Sequence, residues 1–151
     1  MRFYRLDGED AGSILPTLAE RCLARGQRVL VTDPSRPARD ALDARLWSYN
    51  ADTFLAHGLA GGEHDSEQPV LISDLHDAKN GAVVHILTGT ARVELDYAAR
   101  FEMTVRLFDG ANPDVLAGAR DDWKTVAGSG SEAVFWAKEA GRWVEKARAG
   151  D

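Results

Sequence analysis

Apolar residues fall along this chain in two rhythms that change from segment to segment. Arg2-Phe3-Tyr4-Arg5-Leu6 is rich in aromatic and long apolar residues and stops at Asp7-Gly8, a turn signal, so it predicts a first strand. Ile14, Leu15, Leu18, Ala19, Cys22 and Leu23 then recur on one helical face while Glu20, Arg21 and Arg25 point away. Ser13 is the expected cap of that helix and Gly26 its stop. Arg28-Val29-Leu30-Val31-Thr32 is a near-continuous apolar run, as in a strand covered on both faces of a parallel sheet. Strand, helix, strand predicts a right-handed βαβ unit.

The same alternation continues. Asp33-Pro34-Ser35 closes the strand, and Pro37 to Trp47 carries Leu42, Leu46 and Trp47 at helical spacing. Ala56 to Gln68 holds Gly58, Gly61 and Gly62 among polar residues and reads as an exposed loop. Pro69 to Ile72 and Ala82 to Leu87 read as strands separated by the turn signal Lys79-Asn80-Gly81. Arg100 to Phe108 places Phe101, Met103, Val105 and Leu107 on one side, the pattern of a half-buried strand. A third helix is expected from Asn112-Pro113, a capping residue with proline at the first helical position, to about Ala127 before Gly128-Ser129-Gly130. The tail predicts a closing hairpin from Ala133 to Trp136 and Arg142 to Val144 around Gly141, with a helix over Glu132 to Arg148 as the alternative. These elements imply an α/β fold, residues 1–151 forming one three-layer domain with a mostly parallel, twisted sheet and helices on both faces.

Composition narrows the function. A net charge of −6, with cations scattered among carboxylates as at Arg36, Arg39, Asp40, Asp43 and Arg45, argues against direct nucleic-acid binding, which needs a concentrated basic surface. The longest apolar runs, Val29 to Val31 and Val83 to Leu87 (interrupted by His85), are far too short to cross a bilayer, and no basic segment followed by an apolar stretch opens the chain. The single cysteine, Cys22, forms no internal disulfide and fits a cytoplasmic location.

Chemical motifs are sparse. Asp7-Gly8-Glu9-Asp10-Ala11-Gly12 after the first strand lacks the third glycine and the Gly-Lys-Ser/Thr of phosphate loops, and its carboxylates repel phosphate. His57 and His64, flanked by Glu63 and Asp65, match no metal-ligand spacing, and a metal- or nucleotide-dependent hydrolase is the alternative they leave open. Ser73, His76 and Asp77 invite comparison with a triad, but no nucleophile elbow surrounds any serine, and Cys22 lies on an apolar helical face as inert filling. More informative is Ala119-Arg120-Asp121-Asp122-Trp123-Lys124, where Arg120 and Lys124 are four apart with Trp123 read as lying between them in angle. Such a cation, aromatic, cation stripe suits an acidic peptide with a terminal carboxylate and a hydrophobic end residue, and it equally suits a half-buried core tryptophan between solvated charges. Leu46-Trp47 followed by Phe54-Leu55 is a second aromatic candidate for protein contact.

The chain resembles the chi subunit family of the bacterial DNA polymerase III holoenzyme. The resemblance rests on Phe3-Tyr4-x-Leu6, Arg28-Val29-Leu30-Val31, Leu42-Asp43-x-x-Leu46-Trp47, Phe54-Leu55-x-His57-Gly58, Ala119-Arg120-x-x-Trp123-Lys124, Phe135-Trp136 and Gly141-Arg142-Trp143. It implies a non-catalytic accessory subunit that needs no cofactor and links the clamp loader to single-stranded DNA-binding protein, with a fold of the nucleotide-binding doubly wound (Rossmann-like) type that lacks a nucleotide site. It further implies that the acidic C-terminal tail of that protein docks at Arg120, with Trp123 and Lys124 beside it. Trp47 and Phe54 then match aromatic positions used for the psi subunit or a competing helicase. Ala56 departs from the proline common in the family at this position.

Overall fold

The computed structural model describes residues 1–49, 55–74 and 76–150. Its strands are β1 (Arg2–Leu6), β2 (Val29–Thr32), β3 (His57–Leu59), β4 (Val70–Ser73), β5 (Val84–Leu87), β6 (Met103–Asp109), β7 (Ala133–Glu139) and β8 (Arg142–Ala149). They join in one sheet in the order β3-β4-β2-β5-β6-β1-β7-β8. Every strand pairing is parallel except that of β7 with β8. Parallel neighbours need crossovers, and the helices α1 (Leu15–Ala24), α2 (Arg36–Ser48), α3 (Leu95–Ala98) and α4 (Pro113–Gly128) lie within them.

Side chains alternate across each strand, so every central strand feeds two cores. On one face Val29, Val31, Val70, Ile72, Ile86 and Leu107 pack beneath Leu15 and Ala19 of α1 and Leu42 and Leu46 of α2. On the other, Phe3 and Phe108 pack beneath Val115, Ala119 and Val126 of α4. Further along that second face, Leu30 and Leu71 meet Tyr97 of α3 and Phe101. Burial of both faces explains the near-continuous apolar runs in β2 and β4, and in β5 apart from His85.

Four local expectations are corrected. The expected loop from Ala56 to Gln68 contains β3, which pairs with β4 at the sheet edge, and a 3-10 turn at Asp65–Glu67; three residues are too few to show a period. The expected strand from Arg100 begins at Met103, because Phe101 belongs with Tyr97 under the short helix α3. Strand β6 is not half-buried: Thr104, Arg106 and Phe108, on the side read as polar, are also enclosed. Ser13 does not cap α1; its hydroxyl bonds the Asp10 carbonyl at 2.8 Å inside a preceding 3-10 turn, Ala11–Ser13. Gly26 does end that helix, with φ 73° and the Gln27 N–H returning to the Cys22 carbonyl.

The tail is a hairpin, longer than the residues first suggest. Glu139 pairs with Arg142, so Ala140 and Gly141 form a two-residue turn with φ 52° and 77°. Both values are positive, as a type I′ turn requires, and alanine is the poorer occupant of the left-handed region. Replacing Ala140 by Asn is expected to raise stability by about 0.5–1 kcal/mol, read as a shift of the urea midpoint at constant m-value.

Candidate functional site

Helix α4 is held at its start by Asn112, whose Oδ1 accepts from the N–H groups of Asp114 and Val115 at 3.1 and 3.3 Å. Its buried stripe is Val115, Ala119, Asp122 and Val126. Trp123 is half-buried at the edge of that stripe, its indole edge-on to Phe3 at 5.4 Å and to Phe135 at 6.0 Å between ring centroids. At about 100° per residue, Arg120 lies about 60° and Lys124 about 100° beyond Trp123 in the direction of solvent. The ring therefore borders the two cations on the sheet side rather than lying between them. Arg120 and Lys124 are exposed, and among the described residues neither has an ion pair. A rigid indole thus stands beside two solvated cations on a capped helix.

Asp122, in the charged run Arg120-Asp121-Asp122, is 2% exposed. Its carboxylate takes the Arg92 guanidinium at 2.8 Å, the Val93 N–H at 3.2 Å, and lies 3.5 Å from Nε of fully enclosed Arg106. Arg106 also donates to the carbonyls of Leu107 and Gly89. Burial pushes its guanidinium down from the ordinary arginine value, and Asp122 is the largest opposing influence. The network pins α4 to β6 and to the segment after β5, which fixes the rotation that turns Arg120 and Lys124 outward. Asp122 is assigned no role in the sequence analysis. Its spacing, three after Ala119 and four before Val126, is the signal that places it on the buried stripe.

The second aromatic candidate lies elsewhere. Trp47, near the end of α2, is 60% exposed and packs its ring against His57 at 4.7 Å between centroids. His57 is itself buried on β3, with Nδ1 2.6 Å from the Leu55 carbonyl oxygen and Nε2 3.1 Å from an Asp43 carboxylate oxygen. Phe54 lies outside the described residues. Since α2 and α4 cover opposite faces of the sheet, Trp47 and Arg120 belong to two separate surfaces.

The other candidates are absorbed by structure. His64 is exposed between Glu63 and Glu67, and His76 stacks on Tyr97 at 5.3 Å with its Nε2 3.1 Å from the Arg92 carbonyl oxygen. Among the described residues no group of three His, Cys, Asp or Glu side chains is placed to hold a metal ion. A cavity of about 270 Å³ does open at the carboxyl ends of the central strands, where a doubly wound sheet binds ligands. Its charged lining is Asp10, Asp33 and Asp109 with one cation, Arg45, which lies 3.6 Å from the Asp10 carboxylate. Asp109 accepts from the N–H groups of Gly8 and Ala111, and Asp33 from Ser35 N–H and the Thr88 hydroxyl. Carboxylates there take up the backbone donors that a phosphate would use and repel its charge.

The family model described as DNA polymerase III chi subunit, HolC, matches residues 1–134. A DNA polymerase III subunit chi from Pseudomonas aeruginosa is 34% identical over 73 residues, covering 46% of this chain and 50% of that protein. The chain therefore spans about half the length of the curated relative it matches. Residues beyond 134, most of β7 and all of β8, lie outside the family match.

Proposed function

The chain belongs to the DNA polymerase III chi subunit family, and from that premise we propose that it is a non-catalytic replication subunit linking the clamp loader to single-stranded DNA-binding protein. The carrying observation is the pair of exposed cations Arg120 and Lys124, without an ion pair among the described residues, beside the half-buried Trp123. Arginine can fork onto a terminal carboxylate, lysine can meet the acidic side chains before it, and the indole offers apolar surface to the end residue. In this reading the ligand is the acidic C-terminal tail of single-stranded DNA-binding protein. Trp47, supported by His57, and Phe54 serve a second protein partner, the psi subunit or a helicase that competes with it, and the work is done in the cytoplasm.

A synthetic acidic peptide ending in phenylalanine with a free carboxylate is expected to bind at micromolar affinity and to weaken with added salt. Arg120→Ala should lower the affinity at least about tenfold, which corresponds to about 1.4 kcal/mol. Titration by fluorescence anisotropy checks both, and unchanged binding in Arg120→Ala removes this site assignment.

A further inference from the structure

A third cation, Arg5 of β1, comes to the level of Arg120 from the sheet. Arg5 lies two residues after Phe3 and so on the same face of β1, the face that α4 covers. Its neighbours in register are Phe108 on β6 and Ala137 on β7. Its side chain runs over Gly110, in the turn from β6 to α4, where a β-carbon would collide with Cδ, Nε and Cζ of the arginine. Glycine at 110 is thus the seat of the arm.

Among the described residues three cations are half-buried: Arg5, Arg39 and Lys138. Arg39 donates to the Asp33 carbonyl at 2.9 Å, and Lys138 meets Glu9 at 3.5 Å. Arg5 has no ion pair among the described residues. A guanidinium partly withdrawn from water and lacking a counter-charge is suited to receive one from a ligand.

Helix α4 runs antiparallel to β1, because it joins β6 to β7 and both are parallel to β1. Trp123 meets Phe3. From that contact Arg5 lies two strand residues, about 6.6 Å, toward the carboxyl end of β1. Arg120 lies three helical residues, about 4.5 Å, in the same direction. Helical side chains lean toward the helix start, which carries that of Arg120 further toward the level of Arg5. Arg5 therefore stands on the sheet side of Arg120, and Lys124 on the solvent side. An extended peptide points successive side chains to opposite sides. Two consecutive acids then need cations from two directions, which Lys124 alone does not offer.

We propose that Arg5 takes an acidic side chain of the bound tail from the sheet side while Lys124 takes its neighbour from the helix side. The inference rests on the reading of Arg120 as carboxylate anchor. It makes Arg5, seated on Gly110, the residue that favours two adjacent acids over one.

The test uses the full chain and two labelled peptides with the same phenylalanine end and free carboxylate, one with two aspartates before the phenylalanine and one with asparagines there. Arg5→Gln should weaken the aspartate peptide about threefold to fivefold and flatten its salt dependence, and should leave the asparagine peptide unchanged. Arg5→Lys, which keeps the charge, should retain most of the affinity. Gly110→Ala fills the seat without removing a charge, so it should weaken the aspartate peptide and add nothing to Arg5→Gln; additive losses would overturn the placement of the arm. Thermal melting checks that each variant is folded. Equal weakening of both peptides in Arg5→Gln would mean that Arg5 acts through the fold, and that result overturns the proposal. If Arg5→Gln binds both peptides as wild type while Arg120→Ala binds neither, Arg5 meets no acid and the anchor stands. If Arg120→Ala also binds as wild type, the anchor itself is wrong and the role of Arg5 falls with it.

Discussion

Asp122→Ala is expected to lose about 3–5 kcal/mol of stability, because it leaves Arg106 enclosed in the core without its counter-charge. Three contacts vanish together: the Arg92 guanidinium at 2.8 Å, the Val93 N–H at 3.2 Å and the Arg106 guanidinium at 3.5 Å. Arg106 is 0% exposed, and its remaining bonds go to backbone carbonyls. A typical domain is stable by only about 5–15 kcal/mol, so the loss is a large share of the total. The neighbour Asp121, exposed and without an ion pair among the described residues, supplies the control. Asp121→Ala should change stability by no more than about 0.5 kcal/mol. Replacing both charges, Arg106→Met with Asp122→Leu, should recover most of the loss, since the penalty of Asp122→Ala comes mainly from the orphaned cation. Urea denaturation of the four proteins measures this, and an Asp122→Ala variant within 1 kcal/mol of wild type would falsify the account.

Acid should unfold the protein earlier than its carboxylates alone would cause. His85 is 2% exposed, with Nε2 2.8 Å from the Thr32 hydroxyl and its ring enclosed by His76, Tyr97 and Phe101. Burial first, and the nearby charge of His76 second, push it down from 6.5 to about 3. The native imidazole thus stays neutral where the unfolded one takes a proton. Below about pH 6.5 the unfolded state binds more protons, so stability is fully present above that value and is lost as pH falls toward about 3. The loss approaches about 1.4 kcal/mol per pH unit, several kcal/mol over the window. His85→Gln keeps a neutral polar group and removes the titration. Between pH 6.5 and 5, before most carboxylates protonate, its stability should fall less steeply than that of wild type by about one proton. Equal slopes for the two proteins would show that His85 is not the group responsible.

Both effects come from polar residues to which the sequence analysis assigns no role, and the reason is common to them. Periodicity reports what a residue's neighbours in the chain are doing. It located β1, β2, α1, α2 and α4 because each is long enough, or apolar enough, to repeat its pattern. It missed β3 and α3, of three and four residues, because neither is long enough to repeat its period. It read β6 as half-buried because Thr104 and Arg106 are polar, although the fold supplies each with cover from the far side.

For the candidate site the division is similar. The residue types and spacing of Arg120, Trp123 and Lys124 were legible. Which way they face was not. That depends on Asp122 meeting Arg106 and Arg92, residues 16 and 30 positions away in the chain. Nor could spacing tell that Trp47 belongs to a different surface, since the chain must first be wound around the sheet to put α2 and α4 on opposite faces.

By itself, then, the order of residues determined an α/β chain of alternating strands and amphipathic helices, the capped helix with its cationic flank, and a closing hairpin, because each is set by interactions within a few residues. Only the tertiary structure decided the strand order, the rotation of α4, and the burial of Asp122, Arg106 and His85. Those depend on contacts between segments far apart in sequence, where burial turns an ordinary charge or imidazole into a strong energetic constraint.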